Sequence, residues 1–327
     1  MIYMDRNTCP VIPLSEEDII SAVQNTALNL YPEDEYTTFI RLYAERYGLD
    51  AGTIELANGS DEWIQKIIMT LGKSGVMSLQ PDFNMYQIYA NQAGIRFYSI
   101  GSNADYSFDY DHILDEVRKV EPSVFFISNP HNPTGILFPD EFLNTLAEVL
   151  SEWNGYLVVD EAYVEFAPKK YSPVSENTLI IRTMSKMYGL AGLRIGILIA
   201  EGTAFDAVTR INHPYPVNSL SLNLGVQLLK NKDTLNTLID YQKNSKKALE
   251  DSLSQAENLI SIKKSYTNFI FTYGPQAESL ALYLKDHGFT ARIYEEPYLN
   301  NVVRYSIISL EDYPAFKQLI TDWKESI

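Results

Sequence analysis

The chain has 327 residues, a formal charge of −16 from 26 Lys and Arg against 42 Asp and Glu, and 46% hydrophobic residues. That length supports a large core and suggests two domains. The acidity, with no basic stripe to offset it, excludes a general affinity for nucleic acid or anionic membrane. Cys9 is the single cysteine, so an intrachain disulfide is excluded and a reducing compartment is expected. No apolar run approaches the roughly 20 residues that span a bilayer. The opening MIYMDRNTCP carries an acid and soon a proline, unlike a secretion signal, and a cytoplasmic location is expected. The four histidines and Cys9 lack metal-ligand spacing, so no metal site is expected.

In chain order, TTFIRLYAERYG (37–48) has helical period and a stop at Gly48. SDEWIQKIIMTLG (60–72) puts Ile64, Ile67, Ile68 and Leu71 on one helical face, with Ser60 or Asp61 as N-cap. Strands at VMSL, IRFYSI, VFFIS, YLVVD, TLIIR and IGILIA follow, most of them separated by helices at MYQIYANQAG, DYDHILDEVRKV and DEFLNTLAEVLSEW. Short apolar strands alternating with helices predict an α/β fold with a mostly parallel sheet covered on both faces. Such sheets bind ligands beyond the carboxyl ends of their strands. After PYPVN (214–218) the pattern changes to a long polar helix, then NFIFT, a helix, TARIY, VVRYSIIS and a final helix. This mix predicts a smaller α+β domain. We expect a large domain over 30–216 and a small one from 1–29 and 217–327.

Four predicted strand ends carry unusual polar groups. VFFISNPHNPTG holds Asn129 and Asn132 among prolines and a glycine, which an ordinary turn also explains. Asp160 closes YLVVD, where a buried acid needs a partner, be it a cap, an ion pair or a ligand. Lys186 lies in RTMSKMYGLAGLR, preceded by Ser185 and followed eight residues later by Arg194. Its amine becomes a nucleophile or base if desolvation or nearby cations lower its pKa. In ANGSDEW, Gly59 and Ser60 open a helix whose free amides and dipole suit a phosphate, or only an ordinary cap. Phe83, at another strand-to-helix junction, offers an aromatic face or core packing. Taken together, an amine that condenses with an aldehyde, an acid for a ring nitrogen and a phosphate cup are what pyridoxal phosphate requires.

In the order MDRNTCP, YPEDEY, ANGSDE, QPDFNMY, NPHNPTG, VVDEAYVEF, RTMSKMYGLAGLR, HPYP, TARIY and VVRYSI, nearly the whole chain resembles the fold type I aminotransferases, and among them the histidinol-phosphate aminotransferases. The resemblance implies a pyridoxal phosphate enzyme with a large domain built on a mostly parallel seven-stranded sheet. It implies that Lys186 condenses with the cofactor and carries the proton, that Asp160 faces the ring nitrogen, and that Tyr163 and Asn132 donate to its phenolic oxygen. Phe83 takes the stacking position. Ser60, Asp61, Ser185 and Arg194 match the phosphate cup. Tyr31 matches a tyrosine that reaches the neighbouring subunit's cofactor, which implies a homodimer. Asn7, Arg292 and Arg304 match substrate-binding positions, with Arg304 suited to a bidentate grip on a carboxylate or phosphate.

The implied reaction moves an amino group from a small-molecule donor, histidinol phosphate, to a 2-oxo acid, 2-oxoglutarate. Members of the family carry an N-terminal arm ahead of the segment matched by MDRNTCP, and this chain begins almost at that segment. The same scaffold also supports transfer from aromatic or other amino acids and threonine-phosphate decarboxylation, and fold alone does not choose among them. A non-catalytic regulator would need a DNA-binding domain and basic charge, and the sequence has neither.

Overall fold

The computed structural model describes residues 1–168 and 176–327. Its strands are β1 (Ile2–Met4), β2 (Ile54–Asn58), β3 (Val76–Gln80), β4 (Phe97–Gly101), β5 (Val124–Ser128), β6 (Tyr156–Asp160), β7 (Thr178–Thr183), β8 (Ile195–Ile199), β9 (Ser261–Ile262), β10 (Phe269–Tyr273), β11 (Phe289–Ile293) and β12 (Val302–Ser306). Seven of them form one sheet in the order β2-β8-β7-β6-β5-β3-β4, and only β8 runs against the rest. The seventh strand is β2, whose IELAN carries a polar residue near each end and lacks the continuous apolar run of its neighbours.

Why these segments are central strands is clear from burial. All five residues of β5 are buried, Phe125 and Ile127 in the core on one face and Val124 and Phe126 in that on the other. A strand covered on both sides reads as an unbroken apolar run. The helix Ser60–Leu71 packs on one face, and Asp140–Ser151 on the other. The helix Asp34–Tyr47 ends where Gly48 takes a left-handed φ of 64° and donates to the Ala44 carbonyl.

A second sheet has the order β1-β11-β12-β10-β9. Ile2–Met4 joins it in parallel with β11, and the other pairings are antiparallel. Its core includes Met4, Leu249, Leu280, Tyr305, Phe316 and Trp323. The helices Glu16–Gln24 and Ser219–Lys230, which the sequence groups with this sheet, instead share the core of the seven-stranded one, through Ala22, Leu222 and Leu228 beside Phe39.

The expected cap of the helix Ser60–Leu71 differs from the structure. Gly59, at φ 85°, is the cap residue, and Ser60 is the first helical residue, with no side-chain cap bond. The left-handed turn at glycine leaves the Ser60 and Asp61 side chains at the cavity described next.

Candidate active site

The strand register brings the polar ends together. Ser128 stands opposite Asp160 and Asp160 opposite Ile181, so β5, β6 and β7 end at one edge of the sheet. Because β8 is antiparallel to β7, the Lys186 connection leaves Thr183 and returns at Arg194 to that same edge, where Thr183 faces Gly196. The antiparallel pair of β8 with β2 sets Asn58 opposite Ile195, which adds the Gly59–Ser60 turn. One cavity there is lined by Ser60, Asp61, Phe83, Ser128, Asn132, Asp160, Ala162, Tyr163, Thr183, Ser185, Lys186, Ala191 and Arg194. An adjoining one shares Phe83, Asn132, Tyr163 and Lys186 and adds Asn7, Arg292 and Arg304.

Asp160 is almost fully buried. Its Oδ2 accepts from the Tyr86 hydroxyl at 2.9 Å and its Oδ1 from the Ala162 amide at 3.1 Å. Burial nevertheless pushes its carboxyl up to about 6, and the nearby Asp82 and Asp61 carboxylates add to the rise. Such a group holds a proton at mildly acidic pH and is poised to share one with a basic ring nitrogen at neutral pH.

Asn7 and Tyr163 are mutually fixed. Asn7 Nδ2 donates to the Tyr163 hydroxyl at 2.9 Å, while Asn7 itself is held by Ser306 and by Asn268, which donates to its carbonyl. Arg304 Nη1 donates to Asn132 Oδ1 at 2.8 Å and Nη2 to the Asp5 carbonyl at 3.1 Å. Its buried Nε has no hydrogen-bond partner among the described residues, which leaves a donor for an incoming anion. Arg292 stands opposite Arg304 across the β11–β12 pair, and both guanidiniums approach the Tyr294 ring, at 5.4 and 6.0 Å from its centroid. Lys186 Nζ lies 5.6 Å from the Tyr163 ring centroid.

At the other end, Arg194 has a left-handed φ of 53°, and its Nη2 meets Asp61 Oδ2 at 2.8 Å. The backbone there is too close for side chains. A Cβ on Gly196 would sit 2.2 Å from the Gly59 carbonyl carbon, and one on Gly59 would sit 2.3 Å from Arg194 Nη2. The start of the helix Ser60–Leu71, the hydroxyls of Ser60, Thr183 and Ser185, and one guanidinium thus line the same cavity, a cradle of donors that suits a phosphate. This cradle, the buried acid and the lysine amine fit pyridoxal phosphate.

Tyr31 is not brought to this cavity within the chain. It is 72% exposed, stacks on Tyr215 at 4.3 Å, and lines a separate hollow with Leu28, Leu30 and Asn58. Sequence reasoning missed Tyr86, Ser128 and Thr183. Tyr86 lies three residues after Phe83, in the first turn of the helix Met85–Gln92, a nearness that could have paired it with the same site. Ser128 orders the next segment, since its hydroxyl donates to Asp82 at 2.5 Å and accepts from the Asn132 amide at 2.9 Å.

Among the described residues, no helix is long and apolar enough to cross a membrane, and no group of three or more His, Cys, Asp or Glu could hold a metal ion. Residues 2–314 match the family described as Aminotransferase class I and II. The chain is 30% identical over 318 residues to a histidinol-phosphate aminotransferase of Clostridium novyi, covering 95% of this chain and 88% of that one. It is 32% identical over 325 residues to histidinol-phosphate aminotransferase 1 of Carboxydothermus hydrogenoformans, with 95% and 89% covered. Among solved structures, the histidinol-phosphate aminotransferase of Sinorhizobium meliloti in complex with pyridoxal-5'-phosphate superposes with a TM-score of 0.87 at 22% identity, covering 99% of this chain and 91% of that one. The L-threonine-O-3-phosphate decarboxylase of Porphyromonas gingivalis shares the fold at a TM-score of 0.78 and 19% identity, with 99% and 100% covered. The cleft geometry and the match over nearly the full length lead to one conclusion: the chain belongs to the class I and II aminotransferases, pyridoxal phosphate-dependent enzymes of fold type I.

Proposed function

We propose that this aminotransferase moves the amino group of L-histidinol phosphate to 2-oxoglutarate, giving imidazole acetol phosphate and L-glutamate in histidine biosynthesis. The observation that carries this reading is the joined pair of cavities, with Lys186 and the phosphate cradle in one and Arg292 and Arg304 in the other. The names of the relatives support the choice of donor.

When bound, pyridoxal phosphate supplies an aldehyde that condenses with amines and a ring that accepts the electrons released when a proton leaves. The helix-opening amides of Ser60 and Asp61, the Ser185 hydroxyl and Arg194 would hold its phosphate, with the Asp61 carboxylate orienting Arg194. Asp160 would share a proton with the ring nitrogen, Asn132 and Tyr163 would hold the phenolic oxygen, and Phe83 would offer the ring an aromatic face. Lys186 Nζ would take the proton from the α-carbon of the amino donor in one half-reaction and deliver one to the α-carbon of the 2-oxo acid in the other. Arg304 and Arg292 bind the anionic end of each substrate, a phosphate in one half-reaction and a carboxylate in the other. Asn7 keeps the Tyr163 hydroxyl aimed.

The working unit is a homodimer in which Tyr31 reaches the neighbouring cofactor. Its exposure, with Leu28 at 78% and Leu30 at 65%, supports a surface that a second copy covers. The protein acts in the cytoplasm, in keeping with its single cysteine. Each subunit has a large domain built on the seven-stranded sheet and a small one built on the five-stranded sheet.

The test is an absorbance titration of the holoenzyme with histidinol phosphate, beside a coupled assay for glutamate. Loss of the cofactor's resting band together with glutamate formation is the expected result. A band that ignores histidinol phosphate but responds to phenylalanine or tyrosine would replace the donor, and carbon dioxide release from threonine phosphate would replace the reaction.

A further inference from the structure

Tyr106 lies in the loop that leaves β4, at an edge of the large sheet, outside both cavities. It has a left-handed φ of 61°, a backbone state that disfavours bulky side chains. The loop is built to hold it there. The Asn103 amide donates to the Ser107 carbonyl at 2.9 Å and Asn103 Nδ2 to the Ser107 hydroxyl at 2.9 Å. Asp105 Oδ1 accepts from both the amide and the hydroxyl of Ser107, and the Tyr106 amide itself donates to the Asn103 carbonyl. Conformational strain that survives inside such a bonded loop marks a position where the side chain's direction matters.

The Tyr106 ring points into the other sheet. It meets Phe271 edge-on at 5.0 Å and Tyr273 edge-on at 5.2 Å. Phe269, Phe271 and Tyr273 alternate onto one face of β10. On that face Phe269 packs under the Arg304 guanidinium at 5.0 Å and against Tyr163, and Phe271 stands opposite Arg304 in the β10–β12 register. Tyr106 and Tyr294 pack on the same cluster of Phe271, Leu299 and Val302, and Tyr294 lies beside Arg292 and Arg304. The cluster of Phe271, Leu299 and Val302 therefore joins the edge loop of one sheet to Tyr294, which lies beside both arginines on the other. The Asp105–Lys263 pair at 3.6 Å crosses the same seam, although Asp105 is mostly exposed and the pair is weak.

We propose that Tyr106 is a positioning residue for the substrate's anionic end: its ring seats the five-stranded sheet so that Arg292 and Arg304 face Asn132 and Lys186. This rests on the reading of those arginines as substrate anchors. The residue does not touch the cofactor cradle, so its effect falls on substrate affinity and not on cofactor affinity.

The experiment compares holoenzyme Tyr106→Gly with Tyr106→Phe. Glycine relaxes the backbone while deleting the ring, and phenylalanine keeps both ring contacts. For Tyr106→Gly, loss of two edge-on pairs predicts a KM for 2-oxoglutarate raised about tenfold, kcat within about twofold, and an unchanged cofactor dissociation constant. Hydrogen exchange of the amides of residues 299–306 should quicken by about tenfold while that of β5 and β6 stays the same. Tyr106→Phe should match the wild type in every reading. Wild-type KM and exchange in Tyr106→Gly, an equal loss in Tyr106→Phe, or a parallel fall in cofactor affinity overturns the proposal. If the wild type does not form glutamate from 2-oxoglutarate, the functional reading fails, and the exchange comparison alone decides the role of Tyr106.

Discussion

Replacing Asp160 with asparagine should stabilise the cofactor-free protein while abolishing its use of the cofactor. Burial is the main reason the Asp160 carboxyl titrates at about 6 and not at its ordinary 3.8. The folded chain therefore keeps a proton that the unfolded chain releases, and stability falls as pH rises through that interval. The cost is absent well below 3.8, about 1 kcal/mol at pH 4.5, and about 3 kcal/mol above pH 7. Asparagine does not titrate, and its amide can still accept from Ala162 and meet the Tyr86 hydroxyl. Urea unfolding of both cofactor-free proteins at pH 4.5 and 7.5 measures the difference. The Asp160→Asn advantage should grow by about 2 kcal/mol between the two conditions. Added pyridoxal phosphate should then stabilise the wild type more than the variant, because only the carboxylate pairs with a protonated ring nitrogen. An advantage that does not change with pH, or a wild type that gains on the variant as pH rises, would refute the burial argument.

Two further substitutions probe the ends of the site. Gly196→Ala places a methyl group against the Gly59 and Ser60 backbone, which has no flexible end to move aside, so overpacking should cost about 1–3 kcal/mol. The cofactor dissociation constant, measured by equilibrium absorbance, should rise roughly ten- to hundredfold, and an unchanged constant would remove the cradle from the account. Arg304→Lys keeps the charge but cannot reach both Asn132 Oδ1 and the Asp5 carbonyl. Steady-state assays should show KM for 2-oxoglutarate raised roughly tenfold or more with a smaller change in kcat, and an equal loss in both would assign Arg304 to the chemical step.

Much of the scaffold could be read along the chain. The runs VFFIS and YLVVD lie between both cores, and the Gly48 stop is a left-handed cap. Strand β2 escaped because IELAN has too few apolar residues to stand out, and only its pairing with β8 identifies it. The helix at 219–230 lies in the segment expected with the five-stranded sheet but packs on the core of the other, because an apolar face does not name its partner, which here includes Phe39. At the site, Lys186, Asp160 and Arg194 stood out as polar groups beside apolar strands. Tyr86 did not, since a tyrosine in a helix reads as core until its hydroxyl is seen on Asp160.

What the sequence determined by itself was therefore local: which segments are strands or helices, where glycine turns the backbone, and which side chains carry ionisable chemistry. Those follow from periodicity and residue type, which act over a few positions. Tertiary structure alone decided that antiparallel β8 returns Arg194 to the edge where Asp160 ends, that Arg304 meets Asn132 from another sheet, and that Tyr31 points away from its own cavity. These contacts join residues more than a hundred positions apart or depend on strand order, and the free energy that selects them comes from packing two sheets together, which no short stretch of chain encodes.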